Sequence, residues 1–255
     1  FRYKASCHVF ACQRLRDGNT SIGECENGRL LEVNPKGRIV HQGNILHKIP
    51  GTAANGRLSS TSASGRLPGA AGKLSGTASQ YGTADHSGTA GYKNSASGSK
   101  ADMAFMRNAI RLDNGHYLVA HYGPEKVVEY DHKGNAVWSV DTPGRAHSVI
   151  RLPNGNTIVS IADAGNNPRI VEFNPQKEIV WQLTNRDLPG SPLRFMSGMQ
   201  YVEGLGLFIT NWQGHRGAAT QPHIFLVTKD KHLHATFPPS TGIQTISNIY
   251  VAQQQ

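Results

Sequence analysis

The sequence predicts an all-β fold, a β-propeller of four-stranded antiparallel blades, and three observations predict it. Short runs rich in Val, Ile, Tyr, Phe and Thr alternate with Gly, Pro, Asn and Asp, the composition of short strands joined by tight turns. No long stretch keeps a helical period. A unit of four such runs recurs at about forty to fifty residues, the span of one blade.

The strands of a unit are called a to d in chain order. The a and b strands are read from "HVFACQRLRDGNTSIG" at 8, "MRNAIRLDNGHYLVA" at 106, "HSVIRLPNGNTIVS" at 147 and a degenerate "SGMQYVEGLGLFIT" at 197. Each is followed by a c and d pair: "RLLEVNPKGRIVHQ" at 29, "KVVEYDHKGNAVWSV" at 126, "RIVEFNPQKEIVWQL" at 169 and "HIFLVTKDKHLHATF" at 223. Asp-Gly at 17 and Asn-Gly at 114 and 154 supply the positive φ of a two-residue hairpin, which predicts a tight a-to-b turn. Trp138, Trp181 and Phe237 on d strands suit packing between neighbouring sheets.

One blade cannot bury both faces of its sheet, so the blades must stack radially and the ring must close. The opening "FRYKAS" reads as an outer d strand and the final "TISNIYVAQ" as an inner a strand, so strands from both termini are expected to close the ring. Counting a strands gives five blades, with six as the alternative. Residues 51–100 contain no Val, Ile, Phe, Met or Trp and are dominated by Gly, Ser, Ala and Thr. Such a segment cannot repay the entropy of ordering with apolar burial, so the reading is a single domain over 1–255 with a low-complexity flexible insertion at 51–100. A decayed blade is the rival reading.

The formal net charge of +9 raises the question of nucleic acid. The basic residues are scattered through turns and strand ends with no stripe and no groove-entering helix, which argues against a nucleic-acid partner. No run of eighteen apolar residues is present, so no membrane span is expected. Cys7, Cys12 and Cys25 allow at most one disulfide and lack zinc-site spacing, and are read as small buried hydrophobes. The chain opens without the pattern of a secretion signal.

The strings "RLPNGNTIVS" and "RIVEFNPQKEIVWQL" resemble the bacterial pyrroloquinoline-quinone-like and arylsulfotransferase-like propeller repeats, across most of the chain outside 51–100. The resemblance implies the propeller fold and, because such repeats look exported, a periplasmic or extracellular location. No quinone is expected, since the chain is far shorter than quinoprotein propellers and lacks their vicinal cysteine pair. In the related sulfotransferases a histidine is the nucleophile. Here only His147 sits at a matching blade start, the corresponding positions being Phe10, Arg107, Ser197 and Ile246.

In a propeller the a strands line the channel, and the start of a and the end of b reach one rim. That rim is read to carry Arg107, Asn108, His147, Ser148, Ser197 and Asn248 from a strands, with Glu24, His121, Asp163, Asn211 and His215 near the ends of b strands. Glu24, Asn108, Asp163 and Asn248 are hard oxygen donors that suit calcium or another divalent cation. This kind of set resembles that of gluconolactonase and paraoxonase propellers. A small-molecule substrate, an ester or lactone, would be polarised by the cation, with His147 or His121 as base and Arg107 at the oxyanion. Trp212, His215, Asn211 and Ser197 are read as ligand-binding. The alternatives are a non-catalytic module for a glycan or cell-surface protein partner, held by the loop "NWQGHRG", and sulfuryl transfer through His147.

Overall fold

The computed structural model describes residues 2–51, 106–162, 168–212, 221–237 and 245–252. It is all-β, a propeller of four blades rather than the five or six expected from counting a strands. The first sheet comprises β1 (Val9–Arg14), β2 (Thr20–Glu24), β3 (Arg29–Val33) and β4 (Ile39–Asn44). The second comprises β5 (Met106–Arg111), β6 (Tyr117–His121), β7 (Lys126–Tyr130) and β8 (Ala136–Asp141). β9 (Ala146–Arg151), β10 (Thr157–Ile161), β11 (Arg169–Phe173) and β12 (Ile179–Thr184) form the third. β13 (Met196–Val202), β14 (Gly206–Asn211), β15 (Ile224–Val227) and β16 (Leu233–Phe237) form the fourth. Every pairing is antiparallel between chain neighbours, so each blade is a meander.

The first strands of adjacent blades pack on one another, β1 on β5, β5 on β9 and β9 on β13, which places them innermost. Second and third strands are buried along nearly their whole length, whereas β4, β8 and β12 begin with exposed residues. That gradient is the burial expected of stacked sheets with a solvated outer strand. The apolar core lies between blades: Met106, Tyr117 and Val128 meet Leu30 and Ile45, and Ile170 and Leu183 meet Met196 and Phe225. Among the described residues no helix is long and apolar enough to cross a membrane.

The a-to-b connections differ from the expected two-residue hairpins. Leu112 N–H donates to the His116 carbonyl and Gly115 N–H to the Leu112 carbonyl, leaving three residues in the loop, and the same pattern recurs at Leu15–Asn19 and Leu152–Asn156. Only the glycine takes positive φ (84° at Gly18, 94° at Gly115, 86° at Gly155), the arrangement of a type I turn followed by a bulge. The preceding Asp17, Asn114 or Asn154 accepts the amide two residues on, which is why an Asx-Gly pair serves there.

Seams between blades are tied by a repeated device. Arg111 Nε donates to Glu32 Oε1 at 2.6 Å and Arg151 Nη2 to Glu129 Oε2 at 2.6 Å, so the arginine closing one inner strand meets the glutamate of the preceding blade's third strand. Trp138 Nε1 donates to the Pro175 carbonyl at 3.1 Å and Trp181 Nε1 to the Lys229 carbonyl at 2.8 Å, each reaching the next blade's c-to-d turn. The two tryptophans therefore act between sheets as expected, but Phe237 remains 45% exposed, and no further sheet covers β16 among the described residues.

The expected shared closing blade is not present among the described residues, because neither terminal segment carries a strand and all four sheets are built from consecutive strands. Tyr3 instead packs on Ile22, Leu31 and Val33 of the first blade. The C-terminal segment does lie along β13 as an inner strand would. Gln200 accepts the Val251 N–H at 2.6 Å and donates to its carbonyl at 3.1 Å, just as Gln13 of β1 clasps both backbone groups of Arg111 on β5. The insertion expected at 51–100 lies outside the described residues beyond Gly51. All three cysteines are free: Cys25 is buried, with its thiol pushed up to about 12 by desolvation, but Cys12 is exposed and Cys7 half-buried, so the buried reading holds for Cys25 alone.

Candidate functional site

Each inner strand is irregular at one end, and all four irregularities fall on the same rim. Register shifts lie between Val9 and Ala11, Met106 and Asn108, and Met196 and Met199, while Ile161 pairs with Ala146 and Ser160 with Ser148. The residues left without a ladder partner are thus Phe10, Arg107, His147 and the Ser197–Gly198 pair. A bulge re-aims its side chain out of the pleat, so the repeat presents one such residue per blade at the rim.

These four are linked in blade order. The Arg107 guanidinium carbon lies 4.2 Å from the Phe10 ring centre and 4.9 Å from that of Tyr122, so the fork is in contact with two rings. The rim continues through rings set edge to face: Tyr122 to His147 at 6.2 Å, His147 to Phe195 at 4.9 Å and Phe195 to Trp212 at 5.2 Å. Arg145 joins from the strand entry, 5.1 Å from the Tyr122 ring and within 3.3 Å of its hydroxyl. His147 Nδ1 is 3.1 Å from the Ser197 carbonyl oxygen, and Ser197 Oγ in turn contacts Thr210 Oγ1 and the Ile246 carbonyl.

The electrostatics of His147 follow from that setting. Desolvation, and then the positive field of Arg107, lower its pKa from 6.5 to about 4, against a smaller opposite effect of the Ser197 carbonyl. The ring is therefore neutral at pH 7. Because a carbonyl only accepts, the single proton sits on Nδ1 and the Nε2 lone pair remains available.

The described members of the expected cation ring each have partners of their own. Glu24 is fully buried and receives Tyr3 Oη, Ser6 N and Oγ, Asn27 Nδ2 and Arg29 Nη1 at 2.7–3.0 Å. Burial alone would raise its pKa, but the donors outweigh burial and hold it at about 2. Its oxygens are committed to fixing the N-terminal segment. Asn248 Oδ1 accepts the adjacent Ile249 N–H, and Asn108 Oδ1 lies 3.4 Å from Val149 N. Asp163 and His215 lie outside the described residues. Among the described residues no three His, Cys, Asp or Glu side chains group as metal ligands. Glu24, the one described carboxylate of the set, has its oxygens taken by protein donors.

Two other expected site residues are structural. His121 pairs with Met106 beside the Arg107 bulge, but it is buried and its Nε2 is 3.0 Å from the Tyr130 hydroxyl. Asn211, also buried, accepts the amides of Arg194 and Phe195 and donates to the Pro192 carbonyl, shaping the entry to β13. Arg107, His147, Ser197 and Trp212 do come together. Tyr122, Phe195 and Arg145 escaped sequence reasoning, yet the repeat held the signal: Tyr122 follows its second strand as Trp212 does, and Arg145 and Phe195 each stand two residues before the bulged residue.

No protein-family model matches the chain, and no curated protein matches it. Solved structures do. A protein of unknown function from Bacteroides caccae superposes with a TM-score of 0.66 at 21% identity, over 97% of this chain and 73% of that one. A streptogramin B lyase follows at 0.51 and 15%, and virginiamycin B lyase from Staphylococcus aureus at 0.50 and 13%, each over 92% of this chain. The chain spans just over half the length of those lyases, 55% and 56%. At these identities the likeness concerns the fold, and what it establishes is that the chain is a β-propeller similar to these proteins.

Proposed function

We propose that the bulged rim binds and turns over a small molecule, with neutral His147 as the proton acceptor and no metal required. The observation that carries this is the bond between His147 Nδ1 and the Ser197 carbonyl, which leaves Nε2 as the base. For an ester or lactone, Nε2 would take a proton from water as the water oxygen attacks the carbonyl carbon. The developing oxyanion would face the Arg107 guanidinium, and the proton would return to the leaving oxygen. A base with so low a pKa is always in its working form at pH 7 but is weak, which suits leaving groups that need little proton assistance, such as phenolates. Streptogramin B lyase, whose fold is shared, supports only the general idea of a propeller enzyme.

The test is a panel of aryl esters and lactones. His147→Gln is expected to lower kcat/KM on any accepted substrate by about 100-fold or more, whereas a chelator leaves the rate unchanged. Undiminished activity in the variant, or its loss on chelation, would overturn the reading. The half-buried Phe195–Trp212 ring pair favours a second reading, a non-catalytic module that holds a glycan. Binding on a glycan array that Trp212→Ala abolishes and His147→Gln spares, in a protein inert toward the panel, would establish it.

A further inference from the structure

We propose that Arg107 is the anion-recognition element of this rim and that its ligand is a small planar carboxylate borne on an aromatic body. Three observations carry the inference. Among the described residues Arg107 makes no hydrogen bond and no ion pair, and its Nε is buried without a partner. A guanidinium presents five donors in a fixed fork; here one of them, Nε, is buried and unmade, which is costly, and the fork as a whole is open to an acceptor from outside the chain.

The second observation is the ring contact. Phe10 and Tyr122 hold the guanidinium against their rings, leaving the fork's edge as the direction from which an acceptor can approach. A carboxylate matches that edge with two parallel bonds, which a hydroxyl or a single carbonyl cannot do. Third, the nearby carboxylates are already committed: Glu24 is bound to Arg29, and Glu26 to His8 at 2.6 Å. No side chain of the described rim competes with an incoming anion.

The aromatic body follows from what lies beyond the fork. Tyr122, His147, Phe195 and Trp212 succeed one another at 4.9–6.2 Å between ring centres, a wall suited to a flat apolar group. As an account of substrate choice the proposal rests on the reaction assigned to His147. As an account of binding it stands apart from that reaction.

The experiment is calorimetric titration with benzoate and with benzamide, its neutral isostere, on the wild type, Arg107→Met and Arg107→Lys. Methionine keeps an apolar stem against the two rings, and the melting temperature of each variant reports whether it folds. We expect saturable benzoate binding, benzamide at least about tenfold weaker, benzoate binding lost in Arg107→Met, and an intermediate affinity in Arg107→Lys, which keeps the charge without the fork. Absence of benzoate binding, equal affinity for the two probes, or undiminished binding in both folded variants overturns the proposal.

His147→Gln separates this from the reaction. It removes one ring of the wall and leaves the fork, so it is expected to keep saturable benzoate binding, weaker than the wild type, where Arg107→Met loses it. Benzoate binding in a protein inert toward every ester and lactone would sink the reaction and leave the anion site standing. Conversely, hydrolysis that depends on His147 but shows the same kcat/KM for carboxylated and neutral aryl esters would sink the anion site and leave the reaction.

Discussion

Strand β5 carries an arginine near each end, and the fold treats the two differently. Arg111, at the turn end, bonds Glu32 at 2.6 Å and the Leu112 carbonyl at 2.9 Å, while Arg107, four residues earlier at the bulge, meets rings. Strand β9 repeats the contrast. Arg151 at its turn end is held by Glu129, and His147 at its other end is held by a neighbouring backbone carbonyl. The blades are therefore stapled at one rim by matched charges, and at the other the repeat presents polar groups whose pairing is incomplete. Arg107 is half-buried with its Nε shut away from water and unpartnered, an arrangement that contributes little to stability.

The contrast is sharpest under substitution. Glu129 receives both Arg151 Nη2 at 2.6 Å and His116 Nδ1 at 2.7 Å, and its side chain is only 12% exposed. Glu129→Ala leaves Arg151 in a seam with no anion, and a loss of about 3 kcal/mol in urea unfolding is expected. Arg107→Met should cost less than about 1 kcal/mol in the same assay, because it deletes no ion pair. Equal losses at the two ends would abolish the distinction between staple and site.

The strands, their order and the rim were legible because turn residues recur at fixed offsets, and those offsets also bring Phe10, Arg107, His147 and Ser197 into register. Blade number was less so. The terminal "ISNIYV" has an inner strand's pattern and an inner strand's place beside Gln200, but among the described residues no second, third or fourth strand accompanies it, and a count of first strands includes it. The partners of the expected cation ligands were not legible for a different reason. Oxygen-bearing side chains near strand ends look alike in sequence whether they face a channel or their own loop, and Asn211 and Glu24 are consumed by the backbone and side chains of adjacent segments. Contacts across blades, such as Tyr122 against His147, depend on the radial order of strands that no local pattern encodes.

Acid should erode stability through Glu24 and through His147, both at the bulged rim, in the same direction but over different ranges. Glu24, held at about 2 against an ordinary 4.5, adds stability that is complete above about 4.5 and disappears as pH falls toward 2. His147, lowered from 6.5 to about 4, binds its proton more readily in the unfolded chain, so it leaves stability untouched above 6.5 and erodes it as pH falls from 6.5 to 4. Unfolding free energies measured across pH should therefore lose part of their slope between 4 and 6.5 in His147→Gln, and between 2 and 4.5 in Glu24→Gln. A His147→Gln curve parallel to wild type through the upper range would mean that His147 titrates normally.

A smaller effect tests whether the C-terminal segment belongs to the site rim. A Cβ at Gly198 would stand 2.7 Å from both Asn248 Cα and Oδ1, contacts that backbone cannot relax. Gly198→Ala should therefore displace the segment from β13 and release the Ile246 carbonyl from Ser197. Hydrogen exchange at 246–251 is expected to quicken by about tenfold while the β9–β12 sheet keeps its protection, the pattern of local opening. Unchanged exchange at those amides would show that the segment is not seated there.

The smallest expected change lies at the stapled seams. Trp138→Phe keeps an aromatic ring beside Arg151, whose guanidinium carbon is 5.0 Å from the Trp138 ring, and removes only the Nε1–H donated to the Pro175 carbonyl. Trp181→Phe makes the equivalent deletion at the Lys229 carbonyl, one blade further on. Each bond is partly solvated, so each variant should lose about 1 kcal/mol. The two sites are 43 positions apart in the chain and share no partner, so the double variant should lose the sum of the two. A double variant much weaker than that sum would mean that the seams open together, and the staples would then be coupled along the arc of blades instead of acting one seam at a time.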